Sequence, residues 1–500
     1  MPYAITQECC TDAACVSVCP VNCIHPTPDE PDFGKTEMLY VDPRSCIDCG
    51  ACADACPVDA IMPVDMLTAP LREYAEVNAA YYDGAPAPRE DVAPNFHEWD
   101  PVSFDRSLPA DFGPLRVAIV GTGPAGMYAA EDLLLHTNAE VSLIDRLPIA
   151  GGLVRFGVAP DHPSTKQIDS TFERYRNHPR AQTYLGVDIG TAVSHGELAA
   201  HHDAVIYAVG AASDRRLELP GEEVPGCLAA RSFVAWYNGH PEVAPNAVDL
   251  SAERVVVIGT GNVALDVARI LTIDPARLEG TDIAPHALEA LRASKVREVV
   301  LLGRRGPSKA AYTTAELRAL RHSVDVVVDG HEDGIGDAIE SAEGSDKASV
   351  LQGLEITRVD WSAPPPAGRR VVLRFGSAPE RIEGDEQVRA VRTTGGIDIS
   401  AGMVLRAIGY RGSPVAGLPF DETSATVRND AGRVAGVTGV YVVGWIKRGP
   451  SGGIGTNRTC AEETVGSLLA DAVDGTLVRS KRSRRAFSRL VRRAARLTAP

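Results

Sequence analysis

The chain has 500 residues, 44% of them hydrophobic, which on a loose prior of roughly 150 residues per domain is enough for about three domains. Its formal net charge is -16, and residues 1–112 alone hold twenty acidic against five basic side chains, a balance that excludes a general nucleic-acid binder. No apolar run approaches the roughly 20 residues that span a bilayer, and the opening MPYAITQECC has neither a basic nor an apolar leader, so a cytoplasmic location is expected.

In a reducing compartment, clustered cysteines are metal ligands before they are disulfides. Residues 1–66 read as a cysteine-dense first domain holding nine of the eleven cysteines. Within CIDCGACADACP, Cys46, Cys49, Cys52 and Cys56 follow the C-x2-C-x2-C-x3-C-P run of bacterial iron-sulfur ferredoxins. Three thiolates at that spacing wrap one cuboidal cluster, and the fourth reaches a neighbouring one. By this crossing rule Cys19, before Pro20, completes a 4Fe-4S site with Cys46, Cys49 and Cys52, while Cys56 joins Cys9 and Cys15.

The first run, CCTDAACVSVCP, is then one thiolate short and reads C-x2-D-x2-C-x3-C-P, with Asp12 where the ligand belongs. A carboxylate is a harder, weaker ligand for such iron than a thiolate. Two compositions stay open: 3Fe-4S on the three cysteines, or 4Fe-4S with Asp12 or water on the fourth iron. Cys10 rivals Cys9 for the first position, but only Cys9 preserves the spacing. Zinc is the competing metal, yet zinc ribbons rarely use this run with its terminal C-P. Cys23, Cys227 and Cys460 read as small buried side chains.

Residues 67–113 are Pro-rich and weakly patterned and read as a linker. LRVAIVGTGPAGMYAAEDLLL then opens a dinucleotide-binding unit over 114–216: an apolar strand, Gly121, Gly123 and Gly126, and a helix. The glycines let the backbone approach a pyrophosphate at the helix N-terminus, and Asp145, ending the next strand, suits a ribose hydroxyl. ERVVVIGTGNVALDVARIL repeats the pattern in a unit over 217–395, with Gly261 in its turn. Its following strand ends in Arg304 and Arg305 instead of an acid, so two guanidiniums suit the 2'-phosphate of NADP. The acidic stretch Asp325 to Asp346 reads as a surface excursion. Residues 479–500 form a tail with nine basic residues and no acid. Phe487, Leu490, Val491, Ala494 and Leu497 recur in it at helical spacing. Three readings of the tail stay open: a docking element for the acidic domain, an anionic-membrane contact, or a solvated end.

Taken together these runs predict a multidomain α+β and α/β chain, a small ferredoxin-like domain followed by two Rossmann-like dinucleotide-binding domains. GGLVRFGVAPDHP, GNVALDVARIL, GRRGP and GWIKRGPSGGIGTN make residues 113 to 475 resemble the adrenodoxin-reductase family of ferredoxin-NADP reductases. Residues 1–66 resemble the seven-iron type of bacterial ferredoxin. The fusion in this order resembles the two-part ferredoxin/ferredoxin-NADP reductases of actinobacteria. The resemblance implies that the NADP domain, 217–395, is inserted into the FAD domain, whose second part is 396–478. It implies FAD contacts at Ala125, Asp145, Leu153, Val187, Trp445, Gly452, Gly453 and Ile454. It implies NADP contacts at Thr260, Gly261, Asn262, Val263, Arg304, Arg305, Glu316 and Gly452. His162 is the histidine it places near flavin and nicotinamide, in a catalytic or tuning role; the carboxylate that some members supply three positions beyond Glu316 is Ala319 here.

The implied path runs from NADPH through FAD and the clusters to an external one-electron acceptor, such as a ferredoxin or a ferredoxin-dependent oxygenase. An acidic domain tethered to a basic reductase surface would dock in a salt-sensitive way. Two other readings compete: an electron-donor subunit like the small subunit of glutamate synthase, and an iron-sulfur redox sensor.

Overall fold

The computed structural model describes residues 2–85, 108–109, 112–332, 334–344 and 346–498. The chain divides into two compact units, the first made of 1–155, 164–213 and 410–500, the second of 156–163 and 214–409.

The cysteine-rich segment opens the first unit. Tyr3–Ile5 pairs antiparallel with Ile61–Pro63, and Ile24–His25 with Tyr40–Val41, closing two short ribbons around the cysteines. Two five-residue helices, Ala14–Val18 and Ala51–Ala55, stand thirty-seven positions apart. The backbone repeats at the same offset: Thr11, Ala13 and Asn22 take left-handed φ, and so do Asp48, Gly50 and Asp59. Five of these six are not glycine, and each such residue costs of order 1 kcal/mol, so the shared geometry is imposed by the fold.

The stretch from Leu67, expected as linker, belongs to this segment as far as Tyr82. Its helix Glu73–Tyr81 carries a buried Asn78 whose Oδ1 accepts from Ile5 N (3.1 Å) and Val41 N (2.8 Å), while its amide donates to Ile5 O (2.8 Å). Tyr81 stacks on Tyr40 at 4.3 Å. The helix escapes a hydrophobic reading because a polar side chain anchors it. Most of the remaining linker, 86–107, lies outside the described residues.

The flavoprotein part of the first unit is a seven-stranded sheet. Its order is Asn429–Asp430, Arg433–Val434, Val440–Val442, Ala204–Tyr207, Arg116–Val120, Glu140–Ile144, Ala181–Tyr184. The last five strands run parallel and are almost wholly buried, as expected of strands covered on both faces. Helices Pro124–His136 and Thr456–Val473 cover one face, and Val58 and Ala60 of the cysteine-rich segment are buried in the same core as Met127, Leu133 and Leu468.

The basic tail packs on the other face. In helix Arg484–Thr498, Phe487, Val491 and Ala494 are buried, with the Phe487 ring against Tyr184 (5.2 Å) and His202 (4.7 Å). This corrects the solvated-end reading and uses up the apolar stripe that a membrane contact would need; the Leu497 side chain lies outside the described ones. Phe487→Ala is expected to cost about 3–5 kcal/mol locally, read as loss of amide protection from Ala486 to Leu490. No helix among the described residues is long and apolar enough to cross a membrane.

The second unit is a seven-stranded parallel sheet in the order Cys227–Ala229, Met403–Arg406, Arg254–Ile258, Glu298–Leu302, Arg370–Arg374, Asp325–Asp329, Glu355–Thr357. It extends past 395, the expected limit, because Met403–Arg406 pairs between Cys227–Ala229 and Arg254–Ile258. A four-residue strand with three apolar side chains does not reveal which of two sheets it joins. The acidic stretch likewise begins inside the sheet: Val326, Val327 and Val328 are buried, and Asp329 is fully buried in an ion pair with Arg374. Its composition is acidic because the helix Ile335–Glu340 that follows turns polar residues outward.

Candidate functional site

The repeat in the cysteine-rich segment equates Cys9, Asp12, Cys15 and Cys19 with Cys46, Cys49, Cys52 and Cys56, since the left-handed residues flank the same positions in both loops. Asp12 therefore occupies the backbone position of Cys49. Cys10 is the counterpart of Ile47, which carries no ligand atom.

One pocket is lined by Cys19, Cys46, Cys49 and Cys52, together with Tyr3, Val21, Ile47 and Cys23. Cys23, read from sequence as a bystander, donates toward Cys19 Sγ at 3.4 Å. Hydrogen bonding from Cys23 pulls Cys46 down to about 5 and Cys19 down to about 6, so both favour the thiolate that iron requires. Burial pushes Cys52 up to about 11. Cys49 is exposed.

Cys9, Cys15, Cys56 and Asp12 form the second interacting group. Burial pushes Cys9 up to about 11 and raises Cys15 and Cys56. Thiols this deeply buried ionise only with a cation among them, the condition a metal cluster meets. Burial also raises Asp12, against the opposing field of Arg458. Arg458 Nη2 stands 3.9 Å from Asp12 Oδ2, and the guanidinium lies 4.9 Å over the Tyr128 ring. Gly455 N donates to Cys10 O at 3.0 Å, and a Cβ at Gly455 would come within 2.3 Å of both Asp12 N and Cys10 O. The turn before helix Thr456–Val473 thus lies directly on the loop of the first group.

The turn after strand Arg116–Val120 is shaped for a pyrophosphate. Gly121 has φ +111° and a Cβ there would lie 2.3 Å from Ala208 O; one at Gly126 would lie 2.0 Å from Gly121 O. Thr122 donates through its N–H (2.9 Å) and hydroxyl (2.5 Å) to Asp145 Oδ2, so Asp145 braces the turn. Leu153 is exposed, whereas Val187 is buried and its N–H donates to Asp145 O. Gly444 packs against Ala125, and Trp445 Nε1 donates to Ser451 O (3.1 Å), holding the loop of Gly452, Gly453 and Ile454. These residues form a cradle around a tight glycine turn at a helix N-terminus that fits FAD.

In the second unit, Gly259 has φ +128° and packs on Ala407 O, repeating the geometry. Thr260 Oγ1 accepts from Ala311 N (3.2 Å) and Asn262 Oδ1 from Thr313 N (2.8 Å), fixing the turn that holds Gly261 and Val263. Arg304 and Arg305 are exposed directly after the buried strand Glu298–Leu302, and neither faces a carboxylate partner among the described residues.

His162 sits in a charged cluster of this unit. Arg269 Nη2 approaches His162 Nε2 at 2.5 Å while Arg269 grips Asp161 (2.6 and 3.1 Å) and Asp266 (2.7 Å). Burial opposes the ionised carboxyls, yet Arg269 holds both Asp161 and Asp266 below the usual range. His162, Asp266 and Glu316 place ligand atoms within 4.8 Å of one another. Asp266, from the helix after the second glycine turn, places a carboxylate oxygen 3.6 Å from His162 Nε2.

A family model for the pyridine nucleotide-disulphide oxidoreductases matches residues 115–304, and one for the 4Fe-4S binding domain matches 39–62. A probable ferredoxin/ferredoxin-NADP reductase of Mycobacterium tuberculosis is 50% identical, covering 95% of this chain and 85% of its own length. The corresponding Mycobacterium leprae protein is 46% identical over 95% of this chain and 87% of its own. The chain belongs to the ferredoxin/ferredoxin-NADP reductase family. Among solved structures, Mycobacterium tuberculosis FprA in complex with NADPH superposes with a TM-score of 0.69 at 42% identity, over 76% of this chain and 90% of that one.

Six residues of the reductase escaped the sequence reading as site residues: Cys23, Asp161, Asp266, Arg269, Gly455 and Arg458. Asp266 and Arg269 were visible as an i, i+3 pair behind the second glycine turn, the spacing that puts two side chains on one helix face. Gly455 and Arg458 carry no signal of their own, because their partners lie more than 440 positions away.

Proposed function

We infer that the reductase takes electrons from NADPH and delivers them through two iron-sulfur centres to an external one-electron acceptor. FAD, held by the first glycine turn, Asp145 and the Trp445–Ile454 loop, supplies the conversion of a two-electron hydride into single electrons. Arg304 and Arg305 hold the 2'-phosphate, and the second glycine turn receives the pyrophosphate. Arg269 with Asp161 and Asp266 fixes the orientation of the His162 ring, which tunes the charge near the reacting nucleotide. Cys19, Cys46, Cys49 and Cys52 would hold one cluster; Cys9, Cys15 and Cys56 the other, with Asp12 at its open corner.

The observation that carries this reading is the seating of the Cys10–Asp12 loop on Gly455 within one unit, which joins the thiol set to the flavin-binding fold. Mixing the purified protein with NADPH is expected to bleach flavin and iron-sulfur absorption together. Absence of bleaching would sink the proposal. Asp12→Cys is expected to convert the first centre into a conventional 4Fe-4S cluster, read as a change in its paramagnetic resonance signal and a gain of iron per chain where the native centre holds three. An unchanged signal and iron content would show that Asp12 does not govern that corner.

A further inference from the structure

Arg458 is a cation set where a helix least favours one. It stands in the first turn of helix Thr456–Val473, against the positive end of the helix dipole. Two buried carboxylates hold it there. Asp12, from the first cysteine loop, places Oδ2 3.9 Å from Arg458 Nη2, and Glu131, from helix Pro124–His136, accepts from Nη1 at 3.4 Å. The guanidinium also lies over the Tyr128 ring, whose face attracts cations. Asp12 Oδ2 makes no hydrogen bond among the described residues, so charge alone ties it to Arg458. One cation is thus shared by two acids, one of them at the position of a cluster ligand. The other cysteine pocket has no counterpart: among the described residues, no basic side chain lines the cavity of Cys19, Cys46, Cys49 and Cys52.

We propose that Arg458 sets the reduction potential of the centre held by Cys9, Cys15 and Cys56. The inference rests on the function proposed above. Accepting one electron leaves the centre one unit more negative, a change that a nearby cation favours and a nearby carboxylate opposes. Where water is largely excluded, one unit of charge a few ångströms away alters such an equilibrium by about tenfold. Asp12 and Glu131 offset part of the Arg458 charge, so removing the cation and removing an acid act in opposite directions. The flavoprotein part therefore supplies, from the start of one of its helices, a charge that the thiol spacing of the first loop does not contain.

Redox titration of the cofactor-loaded full chain, followed by paramagnetic resonance, reads each centre separately and without turnover. Arg458→Gln is expected to lower the reduced-to-oxidised ratio of the first centre about tenfold at a fixed potential, which is about 59 mV for one electron. Arg458→Lys keeps the charge and is expected to stay closer to the parent than Arg458→Gln. Glu131→Gln removes an opposing carboxylate and is expected to raise the ratio several-fold. The centre of Cys19, Cys46, Cys49 and Cys52 is the internal control, expected at its parent potential in all three variants. Opposite shifts from Arg458→Gln and Glu131→Gln are what a merely structural role would not give. Unchanged first-centre potentials, shifts in one direction, or equal shifts of both centres overturn the role of Arg458 and leave the function standing. If Arg458→Gln fails to assemble the first centre, Glu131→Gln decides alone: a several-fold rise supports the role, and an unchanged or lowered ratio overturns it. A parent chain without iron-sulfur signals overturns the function itself, and this role with it.

Discussion

Replacing Arg304 and Arg305 together by alanine is expected to raise the KM for NADPH by at least a hundredfold while leaving turnover with NADH nearly unchanged. Strand Glu298–Leu302 is buried throughout, and the two guanidiniums emerge where it ends, beside the second glycine turn. A hydrogen bond to a charged group is worth about 1.5–3 kcal/mol, so each arginine contributes roughly ten- to a hundredfold in affinity for the 2'-phosphate. NADH lacks that phosphate and loses nothing. The substitution spares the fold, because the Arg305 contact to Gly376 is made by its backbone carbonyl. Steady-state kinetics with both nucleotides checks it, and an unchanged NADPH preference would refute the assignment.

The second large effect is expected at Gly455. A valine there would drive its Cβ to within about 2.3 Å of Asp12 N and Cys10 O, both of them backbone atoms that cannot rotate away. Overpacking of this kind costs about 1–3 kcal/mol or more, and the strain falls on the contact between the cysteine loop and the flavoprotein part. Gly455→Val is therefore expected to slow NADPH-driven cluster bleaching at least tenfold while flavin bleaching persists. Stopped-flow spectroscopy at the two sets of bands separates the effects, and parallel bleaching at the parent rates would refute the role. The same contact should respond weakly to salt. Charge alone suggested a salt-sensitive docking, but Val58 and Ala60 are buried in the shared core and Arg458–Asp12 is a single partly shielded pair. Screening weakens exposed charges far more than apolar burial.

Much of the chemistry is local and could be read without coordinates. The thiolates of one cluster recur every three residues, and the glycines of each nucleotide turn stand between an apolar strand and a helix. Paired arginines follow one strand directly. Such patterns survive in sequence because the ligand is gripped by neighbours along the chain. The fold class was legible for the same reason, since buried parallel strands are written as short runs such as RVAIV and RVVVI.

Failures of the sequence reading came where a segment's role depends on a distant partner. Glu73–Tyr81 looked like linker because its anchor is one buried amide, Asn78, bonded to Ile5 and Val41. The basic tail stayed open between docking, membrane contact and a solvated end because Tyr184 and His202, which bury Phe487, lie some three hundred residues earlier. The limit of the second unit was misjudged because Met403–Arg406 is defined by its neighbours in the sheet.

By itself the sequence determined which groups are present: seven cysteines and an aspartate at cluster spacing, two glycine turns, and a pair of arginines directly after a strand. Only the tertiary structure decided how the two cysteine loops differ, with Gly455 and Arg458 covering one and nothing among the described residues covering Ile47 on the other. Spacing along a chain encodes what a ligand needs from its immediate neighbours. Which face of two near-identical loops meets the flavoprotein is set by packing between residues hundreds of positions apart, and no local pattern carries it.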